Sequence, residues 1–184
     1  MSHQIELIMT RIFILSFFLG GIIFSSCQNN SKKPTIIADE LLEAMEAAYN
    51  LGDLQKVADF YADDAQLLAP GGYKVEGRQA VDDYWTKLNP IHWELTSIKV
   101  SENEQDLYQT DYWKNLKNKP PHWDEYNVKI NTDDQAVYQL GHSKLQYKSK
   151  KTGNPHTSDV DFILVWKKTK NDGYKVFIDT YASN

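Results

Sequence analysis

Apolar residues recur at helical spacing through the first half of the chain and at alternate positions through the second. One early segment has neither period. Residues 12–24 read IFILSFFLGGIIF, an uncharged run that follows Arg11 and precedes the polar tract QNNSKK. It is short for a membrane span and of the right length for a signal-peptide core. Beyond it, Ile37, Leu41, Met45 and Ala48 make one helical face, and Asn50-Leu51-Gly52 is a stop signal. Asp53 is placed to cap a second helix, LQKVADFYA, with Leu54, Val57, Phe60 and Tyr61 turned inward. Two short strands, AQLLA and YKVE, flank the turn Pro70-Gly71-Gly72. A third helix runs from Arg78 to Leu88 and ends at Asn89-Pro90. Thereafter period two dominates. Over 157–167, Val160, Phe162, Leu164 and Trp166 fall on one face, and Asp159, Asp161, Ile163 and Val165 on the other. Asn171-Asp172-Gly173 turns into a last strand, YKVFIDTY. Helices followed by antiparallel strands predict the α+β class.

Within this order lies a repeat. Residues 92–109, HWELTSIKVSENEQDLYQ, match residues 122–139, HWDEYNVKINTDDQAVYQ, at six of 18 positions, where ordinary composition gives about one. Asp83-Tyr84-Trp85 is echoed by Asp111-Tyr112-Trp113. The pattern predicts a duplicated helix–strand unit, 82–109 and 110–139. Residues 103–118 would then be a helix with a Ser101/Glu104 capping box and Tyr108, Tyr112 and Leu116 on one face. The alternative is that this segment is extended.

Composition sharpens this picture. The chain has 184 residues, 41% apolar and 24% charged, with net charge −5. That suffices for one folded domain and excludes a disordered chain. Basic residues are not clustered, which argues against nucleic acid. The single cysteine, Cys27, excludes an internal disulfide and multi-cysteine zinc sites. It closes the sequence Phe24-Ser25-Ser26-Cys27, which resembles a bacterial lipobox. The expectation is a signal peptide over 1–26, lipidation at Cys27, a polar tether over 27–35 and a domain over 36–184. The protein would be lipid-anchored in the bacterial envelope, facing the periplasm, since no acidic residues follow Cys27 directly.

The blocks Asn50-Leu51-Gly52-Asp53, Tyr61-Ala62-Asp63-Asp64-Ala65, Pro70-Gly71-Gly72, Glu76-Gly77-Arg78-Gln79-Ala80-Val81 and Tyr84-Trp85 come in an order that resembles the NTF2-like superfamily, in its SnoaL-like and DUF4440 branch. The ending, from Val165-Trp166-Lys167-Lys168 to Asp179-Thr180-Tyr181, is similar to the same branch. The resemblance implies a cone: a curved antiparallel sheet around N-terminal helices, a pocket at the wide end and frequent homodimers. It also permits a comparison with ketosteroid isomerase. The position of the isomerase's oxyanion tyrosine corresponds to Met45, and that of its base to Ala69. Neither side chain can perform those roles.

The candidate catalytic residues are therefore Asp161, Asp179 and His142. Asp161 needs a partner such as Arg78, Lys144 or His142 if it lies inside the sheet. The candidate pocket comprises Tyr49, Tyr61, Ala69, Tyr84, Trp85, Trp166 and Tyr181, with Trp93 and Trp123 as core or lining aromatics. His92 and His122 are explained by the repeat and indicate no metal site, and no cofactor fingerprint is present. Two functions stay open. One is binding of a small hydrophobic molecule. The other is a SnoaL-like acid–base enzyme acting on a hydrophobic cyclic substrate, with Asp161 or Asp179 as base and Tyr61, Tyr84 or His142 as orienting donor.

Overall fold

The computed structural model describes residues 32–131, 135–150, 152–171 and 173–183. The signal peptide, Cys27, most of the tether and Asp172 of the last turn lie outside the described residues. The elements are α1 (Pro34–Asn50), α2 (Leu54–Asp59), β1 (Tyr61–Ala69), β2 (Tyr73–Glu76), α3 (Arg78–Thr86), β3 (Asn89–Ser101), α4 (Gln105–Tyr108), α5 (Asp111–Asn115), a 3₁₀ turn (Trp123–Tyr126), β4 (Ala136–Lys148), β5 (Pro155–Lys168) and β6 (Tyr174–Ser183). The strands form one curved sheet in the order β2-β1-β6-β5-β4-β3. Not every pair is antiparallel: β1 runs parallel to β6, because the helices return the chain to the same end before the last strand enters the centre.

Helix α1 starts with Pro34 at its first turn, where a missing N–H costs nothing. It buries Ala38, Leu42, Met45, Ala48 and Tyr49. Ile37 and Leu41 flank this face rather than centring it. Gly52, at φ 80°, reverses the chain in the left-handed region as its stop signal predicts. Asp53 caps α2 by accepting a hydrogen bond from the Lys56 amide at 3.1 Å. This helix is shorter than expected: it ends at Asp59, and Tyr61 opens β1 instead of completing a helical face.

Side chains of α1 also finish the open edge of the sheet at β3. Asn50 accepts from the Trp93 amide at 2.7 Å and donates to the Trp93 carbonyl at 2.9 Å. One turn earlier, Glu46 accepts from the Leu95 amide at 2.7 Å. The helix thus supplies polar partners that a neighbouring strand would otherwise provide.

Strand β5 divides the core. On its concave side Phe162, Leu164 and Trp166 pack with α1, α2 and α3. On its convex side Ile163 and Val165 join Leu68, Leu140 and Ile178 beneath Leu107, Trp123 and Val128. The second half of the repeat, with α4 from the end of the first, covers this convex face, and it does not copy the fold of the first half. His92-Trp93 lies in β3, whereas His122-Trp123 opens the 3₁₀ turn, and among the described residues no strand lies between that turn and Ala136. The helix expected over 103–118 is two short helices, broken where Thr110 caps α5 by accepting from the Trp113 amide at 3.1 Å. Ser101 and Glu104 form no capping box. Ser101 donates to Asp106 at 2.6 Å, and Glu104 accepts from Tyr108 at 2.5 Å. The box belongs to His122 and Glu125 at the 3₁₀ turn.

Gly141 marks a close approach in β4. A Cβ there would collide with the Phe162 ring and come 2.5 Å from the Thr96 carbonyl oxygen. Gly141→Ala is expected to destabilise the domain by about 1–3 kcal/mol, the usual cost of overfilling a packed site. Chemical denaturation of the variant checks this.

Candidate functional site

The concave face of the sheet and the helices enclose a cavity of about 50 Å³. On that measure it admits roughly four water-sized groups. Strand alternation decides what reaches it. In β6, Asp179 pairs with Leu164 of β5 and Leu67 of β1, and so shares their inward face. Tyr61, at the start of β1, donates its hydroxyl hydrogen to Asp179 Oδ2 at 2.7 Å. The Arg78 guanidinium holds the corner in place, bonding the carbonyls of Tyr61 at 2.9 Å and Ala58 at 2.8 Å and the Asp82 carboxylate at 2.5 Å.

Aromatic rings build the rest of the wall. Trp85 of α3 lies 5.1 Å from Trp93, 5.3 Å from Tyr84 and 6.0 Å from Tyr61, ring centre to ring centre. Trp93 is oriented at both ends: Asn50 holds its backbone, and its indole N–H donates to Ser143 at 2.8 Å. The Trp85 indole N–H is buried without a hydrogen-bond partner among the described residues. Tyr84 and Tyr181 complete the lining next to Asp179.

Burial in these surroundings pushes the Asp179 carboxyl up to about 6, against the opposing pull of the Tyr61 hydrogen bond. Burial also raises the Tyr61 and Tyr84 hydroxyls well above the ordinary tyrosine value, with Asp179's charge adding to the shift. Tyr181 is pushed up to about 12, again chiefly by burial. The tyrosines are therefore neutral donors at physiological pH. Asp179 is the group that exchanges a proton near neutrality.

The other candidate residues lie elsewhere. Asp161 is fully buried, but on the convex side, one step out of phase with the cavity. It accepts from Tyr112 of α5 at 2.5 Å and lies 3.0 Å from His142 Nδ1, while its Oδ2 has no partner among the described residues. His142 Nε2 is 3.3 Å from Asp159. The structure thus unites Asp161 and His142, as the strand pattern allowed, and uses them to hold α5 against the sheet. Of the pocket residues named from sequence, Tyr61, Tyr84, Trp85 and Tyr181 line the cavity. Tyr49, Ala69 and Trp166 do not. Tyr49 is packed edge-on against Trp93 and donates to the Gln146 carbonyl at 2.8 Å. The Ala69 carbonyl accepts from Tyr126 on the convex layer. Trp166 is sealed in the core, its indole N–H given to Gln139 at 2.8 Å. Ser143 and Leu145 were missed, although their alternation in the same strand as Gly141 was available to find them. Among the described residues no cluster of three or more His, Cys, Asp or Glu side chains is arranged for a metal.

The raised carboxyl has a consequence for stability. The folded chain holds this proton more tightly than the unfolded chain, so the contribution favours folding at low pH and is lost as pH climbs from about 4 to about 6. Asp179→Asn removes that loss. The variant is expected to gain on the native chain across this window, by on the order of 2 kcal/mol at pH 7. Denaturant unfolding of both proteins at pH 4 and pH 7 checks it, and an unchanged gap contradicts it.

Residues 42–119 match the SnoaL-like domain profile. No curated protein matches the chain. Among solved structures, a ketosteroid isomerase-like protein from Erwinia carotovora atroseptica is 13% identical, with a TM-score of 0.52 over 84% of this chain and 97% of that one. An NTF-2 like protein of unknown function from Shewanella oneidensis is 17% identical, with a TM-score of 0.51 over 82% of this chain and 100% of that one. A putative calcium/calmodulin dependent protein kinase II association domain from Xanthomonas campestris is 15% identical, with a TM-score of 0.50 over 84% and 91%. Topology and these likenesses together give the chain the α+β fold of NTF2-like proteins, and residues 42–119 are similar to a SnoaL-like domain.

Proposed function

We propose that this protein is an envelope-tethered binding module that holds a small, largely apolar molecule in the Tyr61–Asp179 cavity. The observation that carries the reading is the cavity itself: aromatic and aliphatic walls with one hydrogen-bonded carboxylate, the composition of a small-molecule site. At about 50 Å³ it accepts a few heavy atoms. The ligand is therefore a compact molecule, or the compact end of a longer one whose remainder stays at the mouth. Mass spectrometry of small molecules released from the purified full chain tests this. A bound species that is lost when Leu145→Trp fills the cavity is expected. The same species retained by that variant removes the cavity as the site.

A second reading draws support from Asp179 alone. A carboxyl poised at about 6 in an apolar site, with a tyrosine donor beside it, is equipped for proton transfer. In that case Asp179 removes a substrate proton, and Tyr61 steadies the negative charge that develops. Asp179→Asn would then lower turnover by about 10²–10⁴-fold while leaving binding largely intact. Binding and turnover measured on one preparation separate the two readings.

The tether is part of the proposal. Lipidation of Cys27 after removal of residues 1–26 places the domain at a membrane, facing the periplasm, held by acyl chains worth about 0.8 kcal/mol per buried CH₂. Among the described residues no helix is long and apolar enough to cross a membrane. Metabolic labelling with a radioactive fatty acid is expected to mark the native chain and not Cys27→Ser. Equal labelling of the two refutes the anchor.

A further inference from the structure

The cavity holds a negative charge with no positive one to meet it. Asp179 is its acidic residue, and no lysine, arginine or histidine among the described residues lines it. The hydrogen bond from Tyr61 occupies Oδ2. No described residue donates to Oδ1. A half-buried carboxylate among apolar walls without a counter-charge is costly to hold ionised, and a ligand that brings a positive charge lowers that cost.

The walls suit the same kind of ligand. Tyr61, Tyr84, Trp85 and Trp93 form a contiguous set with centres 5.1–6.0 Å from Trp85, and Tyr181 adds a fifth ring. A group resting among them sits within about 6 Å of several ring centres, the range over which aromatic faces attract a cation. Tryptophan is the strongest of these partners, and two are present. A metal cation is a poor fit, because hard cations need several oxygen ligands and this wall supplies one carboxylate. Size narrows the class further. Room for about four water-sized groups suits a nitrogen bearing a few methyl groups.

On the reading that the cavity holds a small molecule, we propose that it is a receptor for a compact alkylammonium group, with Asp179 as counter-ion and the tyrosine–tryptophan wall as its cation–π surface. An N–H of the ligand donates to Asp179 Oδ1, and its methyl groups lie against the rings. A neutral molecule of the same shape leaves the carboxylate uncompensated and binds less well.

The test uses two molecules of equal shape, tert-butylammonium and tert-butanol, with tetramethylammonium as a cation that has no N–H. Binding to the purified full chain is followed by tryptophan fluorescence at matched chloride concentration. The expected result is that tert-butylammonium binds about tenfold or more tightly than tert-butanol, in line with a desolvated cation–π contact. Asp179→Asn is expected to bring the two to parity. Tetramethylammonium is expected to stay within about tenfold of tert-butylammonium, since the rings attract it without an N–H. Its complete failure to bind overturns the role given to the aromatic wall. The alcohol binding as well as the ammonium overturns the assignment of charge and leaves the cavity as a neutral site. Failure of all three to bind overturns both this inference and the binding reading beneath it. The comparison on the native chain decides the matter even if Asp179→Asn does not fold.

Discussion

A strand that is apolar on both faces must be covered on both faces, and β5 imposes this on the whole domain. Phe162, Leu164 and Trp166 project to one side, Ile163 and Val165 to the other, and all five are buried. The concave side is closed by α1, α2 and α3, the convex side by the segment around α4, α5 and the 3₁₀ turn. Because the sheet is curved, the first layer cannot fill its hollow completely, and the cavity is what remains. The second layer meets a bulging surface, against which Trp123 and Leu107 are buried.

That asymmetry explains what could be read in advance. The strands were legible because period-two alternation survives in β5 and β6, and the turns were legible from Gly52 and Pro70-Gly71-Gly72. The repeat misleads because its two halves are similar in sequence and different in structure. His92-Trp93 and His122-Trp123 carry the same side chains, but the first pair sits beside α1 on an open edge and the second must lie across a convex apolar surface. A 3₁₀ turn drops Trp123 onto Tyr138, with their rings stacked at 6.0 Å, as a further edge strand could not. Tertiary demand overrode local pattern.

The aspartates of β5 and β6 show how far register alone sets the surroundings of a carboxylate. Asp161 and Asp179 both lie in central strands among apolar neighbours. The side of the sheet distinguishes them, and side is a matter of register. Asp161 meets Tyr112 from the outer layer and His142 from β4, and is fully enclosed. Asp179 meets Tyr61 on the inner face and keeps an oxygen toward open space. The sequence placed each in a strand. It could not place Tyr61 opposite Asp179, because a parallel pairing of β1 with β6 across more than a hundred residues leaves no local trace.

Strand β3 spans thirteen residues at the edge of the sheet, and such an edge is ordinarily an invitation for another chain to add its own strand. Asn50 and Glu46 occupy the backbone groups at Trp93 and Leu95 through which that pairing would register. The contacts that hold the Trp93 ring at the cavity thus also guard against aggregation. A chain that lost Asn50 would acquire a self-adhesive flank together with a loosened cavity wall, so that one substitution would cost both solubility and the order of the Trp93 ring.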